Sequence, residues 1–485
     1  MRRTTSTAAL LIAAATGALA TPLFQDRSAG LPFAHIYDGG WEHFVGGGVT
    51  VFDCNADGLP DLFAAGGSTS AELFINTTPP QGAISFALGT VPELRSVIGA
   101  YPIDLDSDDI IDLMVLRNGQ NVLLRGQGDC TFSATDNLGL PDDARWSTAF
   151  SALWEKGQTL PTLAIGNYVD ATDPKGPFGT CDTNWLVRPD GATYGAPVPL
   201  DPGFCPLSML FSDWQRNGAP MLRISNDRQY YVRAGYEQMW ALDPLRELTP
   251  DDNWDKFQIW GMGIASQDIT GDGRPEVMLT SMGDQKLMTN TGEGFAAVPY
   301  ATGTYAQRPF TGDDGRADLF IAKGNVDQMP GLAMRDPNNL LMQQPDGTFV
   351  EMAGEAGVGT TERSRGAGLA DLNGDGRLDI VVVNRRAPME VWQNVTTDTG
   401  NWIAIDLRQP APNTRAIGAF VEVRTGDRIQ TREVTIGGGH VSGSLIPIHF
   451  GLGQAETADL RVIWPDGTAT GWMPVAANQV LPVTR

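Results

Sequence analysis

Positive charge, histidine and cysteine are all scarce in this chain. Only 34 Lys and Arg stand against 57 Asp and Glu, which leaves a formal net charge of −23. That balance excludes a nucleic-acid partner, because phosphate binding demands a basic surface. Four histidines and four cysteines are present, with no CxxC and no Cys/His spacing that would hold a metal. HExxH, GxSxG and phosphate-loop motifs are missing as well. Gly46, Gly47 and Gly48, and later Gly437, Gly438 and Gly439, do not fit GxGxxG. They read as tight turns or as places where strands pack closely. Beyond the N-terminus no stretch approaches the ~20 apolar residues of a membrane span. Helical periodicity is rare too, so an all-β fold is expected.

What the chain does contain is turns and carboxylates. Gly (57) and Pro (32) are abundant, as short strands joined by turns require. Four acidic segments are written almost alike. Their oxygen-bearing positions 1, 3, 5 and 9 are Asp53, Asn55, Asp57 and Asp61; Asp104, Asp106, Asp108 and Asp112; Asp268, Thr270, Asp272 and Glu276; and Asp371, Asn373, Asp375 and Asp379. A hard cation such as Ca²⁺ takes about six to eight oxygens, and such a turn supplies them. The backbone carbonyls of Leu59, Ile110, Arg274 and Arg377, at position 7, would complete the protein's share. An EF-hand is excluded because position 12 is Ala64, Val115, Leu279 or Val382 rather than Glu. Short apolar runs flank each loop, so the unit is strand, metal loop, strand. About four Ca²⁺ ions are expected, with thirteen carboxylates among the ligand positions.

Fainter copies fill the gaps between these loops. Ser212 to Met221 keeps the turn but has Met221 at position 9, so no metal is expected there. Leu163 to Asp170 and Gly312 to Ile321 keep parts of the pattern. Seven units of about four strands each predict the blades of a β-propeller. Phe132 to Leu140 and Phe349 to Val358 share an outer-strand signature, and Phe24 to Leu31 repeats it ahead of the first blade. The N-terminal piece is therefore expected to complete the last blade and close the ring, which removes exposed edges.

Residues 1–20 read as a secretory signal, with Arg2 and Arg3, an apolar stretch from Ala8 to Ala15, and cleavage near Ala20. In that compartment the cysteines are expected to pair. Cys181 with Cys205 and Cys54 with Cys130 is one of three connectivities, and free thiols are the other possibility. Residues 21–395 form the propeller in this reading and 396–400 a polar linker. In residues 401–485, five strands near 402–407, 419–424, 430–436, 446–450 and 460–464 predict a small β-sandwich.

The loops resemble the FG-GAP/VCBS repeats of integrin-alpha propellers. His43 to Gly48, Trp260 to Ala265, Lys323 to Val326 and Asp336 to Leu341 look like bacterial members of the cartilage acidic protein family. Ile417 to Ala419, His449 to Gly453 and Trp464 to Gly467 resemble its ASPIC/UnbV domain. The resemblance implies a secreted, calcium-loaded, seven-bladed propeller with a sandwich tail. It departs from the family between Arg308 and Phe320, where a shortened stretch predicts a blade without one strand and without its metal.

Other residues carry weaker signals. His35, His43, His440 and His449 read as structural hydrogen-bonding groups. Tyr230, Tyr231, Trp240, Trp254 and Trp260 give one region an aromatic bias that suits packing or sugar stacking, and Arg385 and Arg386 could face a polyanion or solvent. The leading functional reading is a secreted, non-catalytic adhesion or recognition protein for an extracellular protein or glycan. In it, metal loops stiffen the rim while loops on the other face meet the partner. The alternative is a lyase or hydrolase acting on extracellular polysaccharide.

Overall fold

The computed structural model describes residues 21–135, 138–173, 179–227, 234–282, 285–298, 309–311, 316–324 and 335–485. The predicted signal segment, Tyr230, Tyr231, Arg308 and Val326 lie outside them. Nearly all regular structure is β, and the one α-helical piece among the described residues is a single turn, Ala353–Ala356. None of the described helices is long and apolar enough to cross a membrane.

Seven four-stranded antiparallel blades form the propeller. Their innermost strands are Val49–Phe52, Val97–Ile103, Arg145–Leu153, Pro206–Ser212, Gly261–Gln267, Pro309–Thr311 and Ser364–Ala370. These strands are crowded by neighbouring blades, so the residues of Val49–Phe52, Val97–Ile103 and Pro206–Ser212 are all buried. Outermost strands such as Phe86–Leu88 and Phe132–Ala134 bury one residue and expose two. Longer buried strands inside and short, largely exposed strands outside follow from that gradient.

Blade 6 has all its strands. Pro309–Thr311 pairs with Ala317–Ile321, so the shortened stretch has lost loop length rather than a strand. Residues 312–315, which join these two strands, lie outside the described residues.

The ring closes as expected. Strand Phe24–Asp26 adds to Glu390–Asn394 in antiparallel register, Phe24 opposite Asn394 and Asp26 opposite Trp392. Leu23 extends the seam by donating its amide to Thr396 Oγ1 at 3.0 Å. Blade 7 packs on blade 1 through the Gly366 amide, which donates to the Gly47 carbonyl at 3.0 Å. Both disulfides form. Cys54–Cys130 ties the first acidic loop to the outer edge of blade 2, and Cys181–Cys205 closes a 24-residue segment. Loop closures of these lengths stabilise a fold by about 3–5 kcal/mol each.

The sandwich begins at Asn401 and has seven main strands rather than five. Asn401–Arg408, Ile448–Gly453 and Gln479–Thr484 make one sheet, and Phe420–Thr425, Arg428–Glu433, Thr457–Ile463 and Met473–Ala476 the other. The two strands nearest the C-terminus are half-buried edges with alternating exposure, a weak apolar signal.

Between its two sheets the sandwich sends a segment into the propeller. Ile436 bridges Ala152 in blade 3, Gly437 bridges Leu210 in blade 4, and Ser442 bridges Ala100 in blade 2. The Gly439 amide donates to the Ile264 carbonyl of blade 5 at 2.9 Å. Ser444–Leu445 pairs in parallel with Val51 and Phe52 of blade 1. The segment therefore fills the central channel, hydrogen-bonded to the inner strands. Glycine on both sides makes this approach possible. A Cβ on Gly48 or Gly99 would meet the Val441 carbonyl oxygen at 1.8 or 2.0 Å, and Gly438, at φ +69°, would push into the Ile264 carbonyl at 2.7 Å. Burial then joins the two domains. Ile403, Val421, Phe450 and Leu460 of the sandwich share one apolar cluster with Tyr101, Phe150 and Ile165 of blades 2 and 3.

Two outcomes are expected. Deleting residues 21–34 should lower the melting temperature by about 5 °C or more; an unmoved melt would show that the seam is dispensable. Gly438→Val should cost about 2–4 kcal/mol of unfolding free energy, as backbone clashes in a packed site do. It should also open the linker at 396–400 to proteolysis, whereas a wild-type digestion pattern would mean the channel segment does not hold the domains together.

Candidate metal loops at the propeller–sandwich junction

Each acidic loop joins the innermost strand of its blade to the second, so all lie at one end of the ring. Their conformation is the same and is built from backbone amides on carboxylates. The position-1 Asp accepts the position-6 amide: Gly58 to Asp53 at 2.9 Å, Asp109 to Asp104 at 3.0 Å, Gly273 to Asp268 at 2.9 Å and Gly376 to Asp371 at 2.7 Å. The position-5 Asp accepts the position-7 amide of Leu59, Ile110, Arg274 or Arg377 at 2.8–2.9 Å. The eroded loop at Asp213 makes the same pair of bonds, Gly218 to Asp213 at 2.8 Å and Ala219 to Asn217 at 2.9 Å. The turn is thus an intrinsic product of its Asp, Asn and Gly residues.

Two observations fit these loops to a hard cation. In blade 2 the carboxylates of Asp104, Asp106 and Asp108 bring oxygens within 4.8 Å of one another. Oxygens on opposite sides of a Ca²⁺ stand about 5 Å apart. In blade 7 the Asn373 side chain is fully buried, and its Oδ1 has no hydrogen-bond partner although its amide donates to Asp375 and Gly82. A buried acceptor left unmet is costly, and a cation would satisfy it. Cys54, Asp61 and Cys130 also converge, but both sulfurs are spent in the disulfide.

Position 9 has a task that the spacing alone did not reveal. Asp61, Asp112, Glu276 and Asp379 are buried at the start of the second strand. Each carboxylate clamps a loop amide to a third-strand amide: Cys54 and Asn76, Leu105 and Gly126, Ile269 and Asn290 (with Thr270 as well), or Leu372 and Asn394. Loop and third strand are held together through one side chain. Asp318 receives the Gln343 amide in the same way at 2.8 Å, so blade 6 retains this part of the motif. The recurring Asn ending the third strand is the signal that could have exposed the arrangement. Asn76 Nδ2 reaches Leu372 O of blade 7 at 2.9 Å, and Asn290 Nδ2 reaches Trp214 O of blade 4 at 2.7 Å, so these residues also staple neighbouring blades.

The sandwich sits on this same end of the ring. Arg415 pairs with Asp109 at 3.0 Å, and Thr414 donates to Asp104. Arg216 of the eroded loop pairs with Glu422 at 2.7 Å, while Glu433 accepts Ser212 Oγ at 2.5 Å and the Asp213 amide at 2.8 Å. His449 Nε2 donates to Gly376 O at 2.8 Å. Burial holds the His449 imidazole down at about 4, so it stays neutral. At position 6 the other loops have Gly, whereas blade 2 places Asp109 at φ +69°. Its carboxylate pairs across the domain junction with Arg415 and Arg408, which offsets the left-handed backbone.

Trp240 and Trp254 are buried in blade 4 packing, and Trp260 is half-buried. Arg385 is fully buried over Phe44 at 4.8 Å and donates to Gly39 O, and Arg386 pairs with Asp38 at 2.9 Å. His35 Nε2 donates to Ala65 O at 2.9 Å, His440 stands in the channel segment, and His43 lies in the turn Trp41–His43.

Burial pushes the Asp61 and Asp112 carboxyls up to about 7, and Asp268 and Asp371 to about 6, with neighbouring loop carboxylates adding to the rise. In the metal-free protein these protons are kept on folding, while the unfolded chain releases them near pH 4. The stability they contribute is full below that pH and is lost as pH rises through 6 and 7. A bound cation reverses the loss by favouring the charged form. The rise in melting temperature on adding Ca²⁺ to chelated protein is therefore expected to be several degrees larger at pH 8 than at pH 5. Equal rises would show that these carboxylates do not meet the ion.

These features define an all-β propeller carrying a sandwich on its acidic-loop end. The family description FG-GAP-like repeat matches residues 311–382, and ASPIC and UnbV matches 409–485. The chain is similar to cartilage acidic protein 1 of Homo sapiens, 25% identical over 224 residues, which are 43% of this chain and 33% of that one. The Xenopus tropicalis protein of the same name is 30% identical over 113 residues, 22% of this chain and 17% of that one. The match with the human protein spans about a third of that protein's length. Among solved structures, BBS1N in complex with ARL6DN has a TM-score of 0.47 at 9% identity, covering 79% of this chain and 99% of that one. Saccharomyces cerevisiae Sqt1 has a TM-score of 0.40 at 11% identity, covering 75% and 100%.

Proposed function

We propose that this is a secreted, non-catalytic recognition protein, with Ca²⁺ in about four hairpin loops stabilising a propeller that meets an extracellular glycan or protein. One observation carries the reading. The channel, where a propeller can enclose a substrate, is occupied by the chain's own residues 436–445. A polysaccharide lyase or hydrolase would need acid, base and cation converging in an open pocket. Here His35, His440 and His449 are buried at separate places. Two disulfides and the similarity to cartilage acidic protein 1 support an extracellular setting.

The domain arrangement alters the expected division of labour. The acidic-loop end is covered by the sandwich, so cations placed there would stiffen the domain junction as well as the blades. Cation binding free energy would then be folding free energy for both domains.

The test uses residues 21–485 on immobilised polysaccharides, with millimolar Ca²⁺ and with excess chelator, recording both retention and released product. Retention that needs Ca²⁺ and yields no product is the expected result. Released product would overturn the non-catalytic reading, and identical melting curves with and without Ca²⁺ would remove calcium from it.

A further inference from the structure

A cleft of about 350 Å³ opens where the blade 7 acidic loop meets the sandwich. We propose that it is a saccharide site, taking one neutral sugar unit by its ring face and vicinal hydroxyls. The proposal rests on the recognition reading above and names the ligand class.

Size and lining both point there. The volume falls within the range of about 300–1,000 Å³ typical of small-ligand sites and suits a monosaccharide. Gln81, Asp375, Arg377, Asn401, Trp402 and Asn478 line it, contributed by blade 1, blade 7 and the sandwich. Amides, one carboxylate and one guanidinium beside a single aromatic face are the groups that recognise a polyol. Hydroxyls need mixed donors and acceptors, and the apolar ring face needs an indole. Asp375 and Arg377 pair with each other, so the wall carries no net charge to attract an anion.

The indole is held in place rather than loose. Trp402 stacks on His449 with centroids 5.7 Å apart and planes 11° from parallel, and His449 is pinned to Gly376 O at 2.8 Å. Gly376 leaves room for it, since a Cβ there would come within 1.8 Å of the indole nitrogen. The Trp402 amide donates to Asn478 Oδ1 at 3.2 Å, and Asn478 Nδ2 donates to Asn401 Oδ1 at 2.8 Å, which fixes both amides. Sites that orient their groups beforehand lose less entropy on binding.

The cleft also shares a side chain with the cation loop. Asp375 is position 5 of that loop, whose Asn373 Oδ1 is the unmet buried acceptor. Occupation of the loop and of the cleft are therefore linked, and the factor by which one ligand changes the affinity for the other is the same in both directions.

Saturation-transfer NMR on residues 21–485 with methyl β-galactoside, methyl α-mannoside and N-acetylglucosamine tests this, with Ca²⁺ and with chelator. At least one sugar should show transfer, weakened severalfold by chelation. Trp402→Ala should weaken it about tenfold or more. Gln81 is exposed and at φ +55°, so Gln81→Gly removes a lining amide while relaxing the backbone. It should weaken binding severalfold with an unchanged melt. Transfer absent for all three sugars, in protein whose melt Ca²⁺ raises, overturns the saccharide site and leaves the recognition reading standing. Wild-type binding in both variants overturns the site too. Loss of the Ca²⁺-dependent melt itself would instead strike the calcium reading.

Discussion

A strip of backbone, residues 436–445, holds this molecule together. A propeller is a ring of separately folded sheets with a hole along its axis, and the hole is its least stable place. Inner strands converge there with small side chains and unpaired edges. Here the hole takes a polypeptide rather than water. Bridges to blades 1, 2, 3 and 4 and the amide bond to blade 5 satisfy the segment's polar groups and those of the strands around it. Because the strip belongs to the sandwich, the same contacts fix the second domain on the first. The continuous apolar cluster across the junction and the ion pairs of Arg415, Arg408 and Arg216 complete a seam that needs the strip to set its register.

The acidic loops gain a second meaning from that arrangement. Their position-1 and position-5 carboxylates shape the turn, their position-9 carboxylate clips loop to third strand, and their outer surface meets the sandwich. Three tasks are divided among side chains that a spacing pattern shows as one set. Asp213 separates them most clearly, because its loop keeps the turn and the sandwich contact while Met221 stands at position 9. Turn geometry therefore precedes metal in the hierarchy, and a cation would deepen an existing cup.

Much of this was legible in the residues, for reasons that can be stated. Repeats announced themselves because each blade solves the same local problem with the same turn. The seam at Phe24–Asp26 was legible because a missing outer strand at one end matched an extra one at the other. Position 9 was read from spacing as a ligand alone, because a buried carboxylate clamping amides and one facing a cation leave the same letter. The channel strip was illegible because Gly437, Gly438 and Gly439 have no period, and their partners lie hundreds of residues earlier. A glycine triplet looks like a turn until the Val441 carbonyl is found against Gly48 and Gly99. Blade 6 misled in the opposite sense, since a short loop was read as a lost strand.

The seam at the N-terminus has a temporal side. Phe24 is made about 370 residues before its partner Asn394. The channel strip comes later still. A chain emerging from its N-terminus must therefore keep its opening strand unpaired while some 370 residues follow it, and contacts of such separation form slowly. Blades can fold one by one on the way, held early by local turns and by Cys54–Cys130. The ring, however, stays an open arc with two raw edges until blade 7 is complete. The finished ring is sealed twice, and both seals wait for residues made after the first six blades.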